Sequence, residues 1–339
     1  MSGVSLRNIS VSYSGRKALK NINADFPAGS LSMVIGPNGS GKTTLLKTIA
    51  GLVNYSGNVY IGGRLVDNVP PNSRGVTYVP QNNALVPTLR VRWNVALGLI
   101  DRVRDARIIE KKIEEVTQLL GIRNLLDRYP KELSGGEARR VAIARALAMD
   151  SNIVLMDEPE LSVDIWTWQI ILNTILRMRK SGKTIILSTH NFEELMPYTD
   201  AVCLLHEGNA IFVGDPKNLE TENMPLDVRA WLGSVIKVDN VECDDGNFCV
   251  ALLNGYRIYA GSYERRPKKP SKALILPKHA TINHDGVLKG KITRKIGYYA
   301  GYLTFLVDVN GYELTVTSNE DLPEGAVVSL KIEKTILLG

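Results

Sequence analysis

Cysteine is scarce in this sequence of 339 residues, which contains only Cys203, Cys243 and Cys249. The number is odd and no two of them form a C-x-x-C pair, so the sequence predicts neither a disulfide framework nor a zinc site. Such sparse use of cysteine is typical of proteins in a reducing cytoplasm. Cys203 lies in the apolar run AVCLL, where we expect it to pack as a small core residue.

Long hydrophobic runs are also absent. No apolar stretch approaches the roughly 18 residues that would cross a bilayer as a helix. The first residues, MSGVSLRNISVSY, lack the basic-then-apolar pattern of a secretion signal. We therefore expect neither a membrane span nor export. Hydrophobic residues make up 44% of the chain, which is enough for a sizeable packed core.

Charge of one sign is not concentrated in any long block. The formal net charge is +6, and the excess is spread over both residues 1–232 and residues 233–339. A nucleic-acid footprint normally shows as a basic patch or stripe, so no nucleic-acid partner is expected. The basic stretch ERRPKKPSK (264–272) is rich in proline and is interpreted as a solvated loop, with an anion-binding patch as the alternative.

Residues 1–232 alternate short apolar runs with helical patterns. The strand-like runs are SLSMVIG (30–36), GVTYVPQ (75–81), NIVLMDE (152–158) and KTIILST (183–189). This alternation predicts an α/β domain with a mostly parallel sheet and helices on its faces. The segment from about 88 to 145 is mostly helical and is expected to form a helical subdomain.

Residues 233–339 have a different texture, with short strands that meet at turn signals. FLVDVNGYELTV (305–316) alternates apolar and polar residues on either side of Asn310-Gly311, and CVALLNGYRIYAG (249–261) repeats the pattern around Asn254-Gly255. Asn-Gly between two alternating runs is the strongest short-range signal for a hairpin. The sequence therefore predicts a small all-β domain, either a barrel or a sandwich.

The stretch GPNGSGKT fits the phosphate-binding pattern G-x-x-x-x-G-K-[ST] and lies between a predicted strand and a predicted helix. Its glycines allow the backbone N–H groups to surround a polyphosphate at the positive end of the helix. Lys42 would reach the β- and γ-phosphates, and Thr43 would offer its hydroxyl to Mg²⁺. The candidate nucleotide contacts in this loop are Gly36, Pro37, Asn38, Gly39, Ser40, Gly41, Lys42, Thr43 and Thr44.

Two carboxylates end the apolar run IVLMDEP. In a P-loop enzyme the aspartate at this position, here Asp157, holds Mg²⁺, directly or through water. Glu158 is then placed to polarise a water for attack on the γ-phosphate. Two acids here could instead cap the next helix. The presence of Lys42 in a P-loop favours the catalytic interpretation.

A second anion-binding pattern, LSGGE, opens the helix predicted for residues 138–149. Ser134, Gly135 and Gly136 would stand at the positive end of that helix. A chain with one P-loop and two phosphate-binding loops needs a second copy of itself to use both.

With these three motifs the sequence resembles the ATP-binding subunits of ABC transporters. GPNGSGKT matches the Walker A motif, LSGGE the signature and IVLMDEP the Walker B motif. Gln81 in YVPQ matches the Q-loop glutamine, His190 in LSTHN the switch histidine, and Asp164 the end of the D-loop. Tyr13 in VSYSG matches the aromatic residue that stacks on adenine. All follow the family's order and approximate spacing.

The resemblance implies a head-to-tail homodimer that forms with ATP. Each ATP would lie between one Walker A motif and the other chain's Ser134, Gly135, Gly136 and Asp164. Glu158 would act as the catalytic base, His190 would contact the γ-phosphate, and Gln81 would touch Mg²⁺ or the attacking water. The helical subdomain would form a cleft for membrane permease subunits. ATP and Mg²⁺ are therefore the implied cofactors.

The sequence departs from the family pattern at two motifs. The D-loop commonly reads Ser-x-Leu-Asp, but Leu161 stands at the serine place and cannot supply that hydroxyl to a cross-dimer hydrogen bond. The signature continues as GEARR where glutamine-rich versions are frequent, so its neighbouring contacts are expected to differ. Trp166 and Trp168 after the D-loop are also unusual.

The tail resembles the C-terminal OB-like domain of importers that work with an extracytoplasmic solute-binding protein. LILPKHATI (274–282) keeps Pro277 and His279 of a stretch found in that group. The implied function is an importer ATPase for a sugar, oxyanion, iron or polyamine, peripheral on the cytoplasmic side of the membrane. The alternative is a soluble ABC-type ATPase that acts on nucleic acid or ribosomes. Such proteins usually carry two cassettes or long coiled-coil insertions, and this chain has one P-loop and no long heptad run.

Overall fold

The computed structural model describes residues 3–338 except 101–102, 239, 244–247, 254–255, 263–271, 284 and 300. The chain divides into two compact units, Met1–Phe192 with Tyr198–Val213 and Glu193–Pro197 with Gly214–Gly339. The loop expected at 264–272 falls almost wholly outside the described residues, as do the turn residues 254–255.

The first unit contains most of the described helices, a six-stranded sheet and a four-stranded sheet. Its strands are β1 (Val4–Tyr13), β2 (Arg16–Phe26), β3 (Leu31–Ile35), β4 (Ser56–Ile61), β5 (Arg64–Leu65), β6 (Val76–Val79), β7 (Ile153–Asp157), β8 (Thr184–Ser188), β9 (Ala201–His206) and β10 (Asn209–Gly214). Its helices are α1 (Lys42–Ala50), α2 (Val91–Ile100), α3 (Ala106–Leu119), α4 (Gly135–Ala148) and α5 (Ile165–Lys180). The short helix α6 (Phe192–Leu195) follows, where the chain passes into the second unit.

The central sheet of the first unit has the order β10-β9-β3-β8-β7-β6, and the pairs from β9 to β6 are parallel. Strands β3, β7 and β8 are buried at every position, as expected for parallel strands covered on both faces. The four strand-like runs of the sequence are thus confirmed. Ligands in such sheets bind beyond the carboxyl ends of the strands.

A four-stranded sheet of order β2-β1-β4-β5 packs beside this sheet and was not foreseen from the sequence. Its core positions include Leu6, Ile22 and Val59, which join Leu45 of α1 in one buried cluster. Helices α2, α3 and α4 occupy the segment for which the sequence predicts a helical subdomain.

The second unit is almost entirely β-structure. It contains α7 (Leu226–Leu232) and the strands β11 (Ser234–Lys237), β12 (Asn240–Cys243), β13 (Phe248–Leu253), β14 (Tyr256–Ser262), β15 (Lys272–Ile275), β16 (Ala280–Ile282), β17 (Leu288–Tyr299), β18 (Tyr302–Val309), β19 (Tyr312–Ser318), β20 (Val327–Ile332) and β21 (Ile336–Leu338). Two three-stranded sheets have the orders β11-β15-β21 and β12-β13-β14.

The remaining strands form a closed five-stranded barrel, β16-β19-β18-β17-β20, which confirms the predicted OB-like domain and decides between barrel and sandwich. The hairpin predicted at Asn310-Gly311 joins β18 to β19, with Val309 opposite Tyr312. Both turn residues have positive φ, 53° and 88°, as a type I′ turn requires. Phe305, Val307 and Val316 fill the barrel interior.

Glu193 in the second unit is surrounded by three basic side chains. His279 Nε2 lies 3.1 Å from Glu193 Oε1, and the Nζ atoms of Lys334 and Lys278 lie 2.5 and 2.7 Å from its two oxygens. These contacts, that of His279 first, hold the pKa of the Glu193 carboxyl well below its ordinary value. His279, which the sequence analysis singled out, is thus part of an ion cluster.

Two expectations drawn from scarce sequence features can be compared with the structure. Cys203 lies on β9 without solvent exposure, and burial raises the pKa of its thiol to about 12. It is therefore a core residue, as predicted. Among the described residues, no helix has both the length and the apolar character needed to span a bilayer.

Candidate active site

The loop between β3 and α1 has a conformation that only glycine adopts easily at three positions. Gly36, Gly39 and Gly41 have φ values of 149°, 76° and 108°. A Cβ at Gly36 would lie 2.1 Å from the Leu205 carbonyl oxygen, and one at Gly41 would lie 2.7 Å from the Leu19 side chain. The loop must therefore contain glycine for the backbone to turn into α1.

Lys42 begins α1 and folds back over this loop. Its Nζ donates to the carbonyl oxygens of Gly36 at 2.9 Å and Pro37 at 3.1 Å. Burial lowers the pKa of Lys42, while nearby Glu158 and Asp157 oppose that shift. The ammonium group is thus held in the concave side of the loop, where a polyphosphate would bind.

Asp157, the last residue of β7, is buried and receives three hydroxyl groups. Thr43 Oγ1 donates to its Oδ1 at 3.1 Å, Ser188 Oγ donates to the same atom at 2.5 Å, and Tyr78 Oη donates to Oδ2 at 3.0 Å. Burial raises the pKa of Tyr78, and so does the adjacent Asp157 charge. Thr43 and Asp157, predicted to share a metal, are therefore in contact.

Glu158 contacts the other two residues predicted to be catalytic, Gln81 and His190. Gln81 Nε2 donates to Glu158 Oε2 at 3.1 Å, and His190 Nε2 lies 2.7 Å from Glu158 Oε1. Glu158 has a φ of 47°, an uncommon backbone conformation for a residue with a side chain. Its N–H donates to Ser188 O at 3.1 Å, which fixes the strained residue beside β8.

The signature and D-loop residues form a second group. Ser134 caps α4, where its hydroxyl accepts from Glu137 N while Glu137 Oε2 accepts from Ser134 N at 2.8 Å. Asp164 caps α5 and accepts at both of its carboxylate oxygens, from Thr167 N at 2.9 Å and from Thr167 Oγ1 at 2.8 Å. A Cβ at Gly136 would meet Thr167 and Asp164 as its nearest neighbours. The structure thus places the signature against its own chain's D-loop.

Tyr13 and the unusual residues in and after the D-loop differ in their exposure to solvent. Tyr13 ends β1 with 47% of its surface exposed, so its ring is available for stacking. Leu161 is also exposed, consistent with a D-loop surface. Trp168 is buried and packs as a core residue, whereas Trp166 is 79% exposed, and nothing in the structure explains that exposure.

Sequence reasoning missed two residues of the site. Arg139 on α4 is 1% exposed and donates to backbone carbonyls of Pro80 and Asp157 at 2.7 and 2.6 Å. A signal for its burial was present, because Arg139 shares the i, i+3, i+4, i+7 face of α4 with residues 142, 143 and 146, which are all buried.

Glu160 is the second residue that sequence reasoning missed. Its Oε1 accepts from Thr189 Oγ1 at 2.6 Å, from His190 N at 2.9 Å and from Asn191 N at 3.4 Å. One carboxylate oxygen therefore anchors the backbone of the loop that carries His190. In the sequence, Glu160 is visible only as a third acid in the run DEPE. Nothing in that run indicates that Glu160 contacts residues 189–191.

The residues present fit a nucleotide with a hard metal ion. The oxygen and amide groups of Thr43, Asp157 and Gln81 are the ligand types that Mg²⁺ prefers. Ser40 Oγ is buried and has no partner within the described part of the chain, so it is free to donate to a phosphate. A P-loop, a helix start and an acidic strand end thus define a nucleotide-binding site of the P-loop class.

Comparison with known proteins identifies the family within that class. The protein-family model described as "ABC transporter" matches residues 19–160. The sulfate/thiosulfate import ATP-binding protein CysA of Mycobacterium bovis is 38% identical over 286 residues, which is 84% of this chain and 77% of the relative. The chain belongs to the family of ABC transporter ATP-binding proteins.

Two further similarities agree with this family. The molybdate/tungstate import ATP-binding protein WtpC of Thermococcus kodakarensis is 38% identical over 217 residues, 63% of this chain and 66% of the relative, so the chain spans just under two thirds of that protein. A solved dimeric ATP-binding cassette in a post-hydrolysis state bound to ADP and Pi is 29% identical, with a TM-score of 0.59 over 62% of this chain and 97% of that one.

Proposed function

We propose that this chain is the ATP-hydrolysing subunit of an ABC importer. The observation that carries the proposal is the meeting of Gln81, Glu158 and His190 at the carboxyl ends of the parallel strands, beside Lys42 of the P-loop. The names of the importer subunits CysA and WtpC support it further.

The P-loop and the end of β1 hold the nucleotide in this proposal. Tyr13 stacks on the adenine, the N–H groups of residues 36–44 bind the phosphates, and Lys42 contacts the β- and γ-phosphates. Thr43, Gln81 and Asp157 would hold Mg²⁺, with Asp157 directly or through water. A bound ion would supply positive charge that stabilises the phosphates of the nucleotide.

Hydrolysis then requires a base beside the γ-phosphate. Glu158 takes a proton from the attacking water, while Gln81 and His190 orient its two oxygens from opposite sides. In the proposal His190 also contacts the γ-phosphate, where negative charge develops. The bond between the γ-phosphorus and its bridging oxygen breaks, and the products are ADP and phosphate.

The signature of one chain completes the site of another. Gly135 and Gly136 lie against the D-loop of their own chain, at Ser162 and Asp164. In the proposal, Ser134, Gly135, Gly136 and Asp164 bind a nucleotide held by a second copy. ATP therefore stabilises a head-to-tail homodimer, and hydrolysis reopens it. The difference in affinity for closed and open states drives the conformational change of the permease subunits.

The importer as a whole includes membrane permeases and an extracytoplasmic solute-binding protein, with this subunit on the cytoplasmic face. A tetrahedral oxyanion is the first solute class to test, because the names of CysA and WtpC specify sulfate, thiosulfate, molybdate and tungstate. Sugars, iron and polyamines are the other classes.

ATP turnover by the purified chain tests the catalytic part of the proposal. We expect Glu158→Gln to lower kcat about 10²- to 10⁴-fold, the usual loss for a general base. Glu115→Gln on the exposed face of α3 is the matched control and should leave kcat unchanged. Equal turnover of the Glu158 variant and the control would contradict the assignment.

Solute uptake by cells tests the transport part. A deletion strain should lose high-affinity uptake of one solute class and regain it with the intact chain but not with Glu158→Gln. Normal uptake in the deletion strain, together with salt-sensitive binding of the purified chain to RNA, would favour the nucleic-acid alternative.

A further inference from the structure

Arg139 connects α4 to two other segments of the first unit through hydrogen bonds. The residue lies on the second turn of α4 and is 1% exposed, although arginine is almost never fully buried without partners. Burial lowers the pKa of its guanidinium, and the neighbouring carboxylates of Glu160 and Asp157 counteract that shift. The hydrogen bonds of this side chain must therefore offset the free-energy cost of removing its charge from water.

These two segments are the Q-loop and the end of β7. Nη1 of Arg139 donates to the carbonyl oxygens of Pro80 at 2.7 Å and Gln81 at 3.4 Å, and to Asn83 Oδ1 at 3.0 Å. Nη2 donates to the carbonyl oxygens of Asp157 at 2.6 Å and of Glu158.

The carbonyl oxygen of Pro159 is a further acceptor and extends the contact toward the D-loop. Nε of Arg139 donates to Pro159 O at 3.2 Å, which directly follows Glu158. The guanidinium thus uses its planar set of donors to hold the backbone of Gln81 and the backbone of Glu158 at a fixed separation. Their side chains meet through the 3.1 Å bond described above.

Arg139 lies on the same helix, α4, as the signature residue Ser134. Ser134 caps this helix, and the five-residue step from Ser134 to Arg139 corresponds to roughly 7–8 Å along the helix axis. A short helix segment moves as a rigid body, so a displacement at Ser134 also displaces the guanidinium.

We infer that Arg139 is a positioning residue that couples the signature of α4 to the catalytic Gln81 and Glu158 of the same chain. Binding of the partner's nucleotide at Ser134 then sets the geometry of this chain's own catalytic base, which makes the two sites of the dimer cooperative. The inference rests on the proposed head-to-tail dimer of ATPase subunits.

Arg140 offers a matched control on the same helix. Its Nη1 donates to the carbonyl oxygens of Leu120 and Gly121, at 3.2 and 3.3 Å, and it has no bond to the Q-loop or to β7 among the described residues. Arg139→Lys and Arg140→Lys therefore change the same type of side chain by the same amount, but only the first loosens the link to the catalytic residues.

Steady-state ATP turnover of the full chain tests the inference. We expect Arg139→Lys to lower kcat about tenfold or more with little change in the KM for ATP, and to bring the Hill coefficient close to 1. Arg140→Lys should keep the kcat and the Hill coefficient of the unmodified chain. A folded Arg139→Lys variant with unchanged kcat and unchanged cooperativity would overturn the inference.

A double-mutant cycle separates coupling from a general loss of order. Ser134→Ala should lower kcat less in the Arg139→Lys background than in the unmodified chain, whereas its effect should be unchanged in the Arg140→Lys background. Equal effects in all three backgrounds would leave Arg139 as a structural residue and end the proposal.

Amide hydrogen exchange covers the case in which Arg139→Lys fails to fold. In the Glu158→Gln chain, Mg·ATP should slow exchange at residues 81–84, and Ser134→Ala should remove that protection. Protection that persists without Ser134 would contradict the coupling. If the unmodified chain neither hydrolyses ATP nor dimerises, the proposed function itself fails, which is distinct from an active chain whose Arg139 and Arg140 variants behave alike.

Discussion

His190 Nε2 lies 2.7 Å from Glu158 Oε1, although the two residues follow different strands of the parallel sheet, β8 and β7. Adjacent strands in this order place their carboxyl ends side by side, so residues 32 positions apart share one site. The contact joins the proposed base to the proposed sensor of the γ-phosphate.

Replacing His190 with Ala should lower kcat about 10²-fold, because it removes the ring that contacts Glu158 and, in the proposal, the γ-phosphate. The KM for ATP should change much less, since Lys42 and the P-loop provide most of the ground-state binding. Turnover and nucleotide affinity are measured separately, with His206→Ala, at the end of β9, as a control. A His190→Ala chain with normal kcat and raised KM would contradict this role.

Glu160→Ala should lower kcat about 10-fold or more, because it removes the acceptor for Thr189 Oγ1 and the two backbone N–H groups that follow. Loss of these charge-assisted bonds should also lower the free energy of unfolding by about 2 kcal/mol. Glu160→Gln keeps an oxygen at the same position and should restore most of kcat. Measurements of turnover and of thermal unfolding on both variants decide. An alanine variant that is as active as the glutamine variant would show that the anchor is dispensable.

The parts of the fold that depend on local patterns could be predicted from the sequence. The P-loop needs glycine where φ is positive, so Gly39 and Gly41 marked it. Parallel strands that are buried on both faces are mostly apolar, so β3, β7 and β8 could be recognised as short apolar runs. The Asn310-Gly311 hairpin followed from turn chemistry.

The contacts of Arg139 and Glu160 could not be predicted in the same way. Arg139 bonds to residues 80–83 and 157–159, and Glu160 bonds to residues 189–191, so their partners are 18 to 59 positions away. Such contacts depend on how strands are ordered in space. Closure of the barrel was equally non-local, because it depends on pairing between β16 and β19 at Thr281 and Thr317.

The ion cluster around Glu193 predicts a pH-dependent stability. Because the pKa of Glu193 is lowered below the ordinary 4.5, its stabilisation is present above about pH 4.5 and is lost as the pH falls through the lowered value. Glu193→Gln should therefore lower the free energy of unfolding by about 1–3 kcal/mol near pH 7. The difference from the unmodified chain should shrink below pH 4.5.

Thermal unfolding between pH 7 and pH 3 at constant ionic strength measures this difference. Glu333→Gln is the control, since Glu333 pairs with Lys331 on the surface, where both side chains are more than half exposed. We expect that control to change the unfolding temperature little at any pH. A Glu193→Gln effect of the same size at pH 3 and pH 7 would show that the cluster's charge does not stabilise the fold.

The most direct test of the account measures the mass of the Glu158→Gln chain with and without Mg·ATP by analytical ultracentrifugation. In the proposal each nucleotide lies between the P-loop of one chain and the signature of the other. We therefore expect a dimer with Mg·ATP and a monomer without it. The same chain carrying Ser134→Arg should remain a monomer in both conditions. A Glu158→Gln chain that binds ATP yet stays monomeric at saturating Mg·ATP, alone and with its permease subunits, would contradict the shared site.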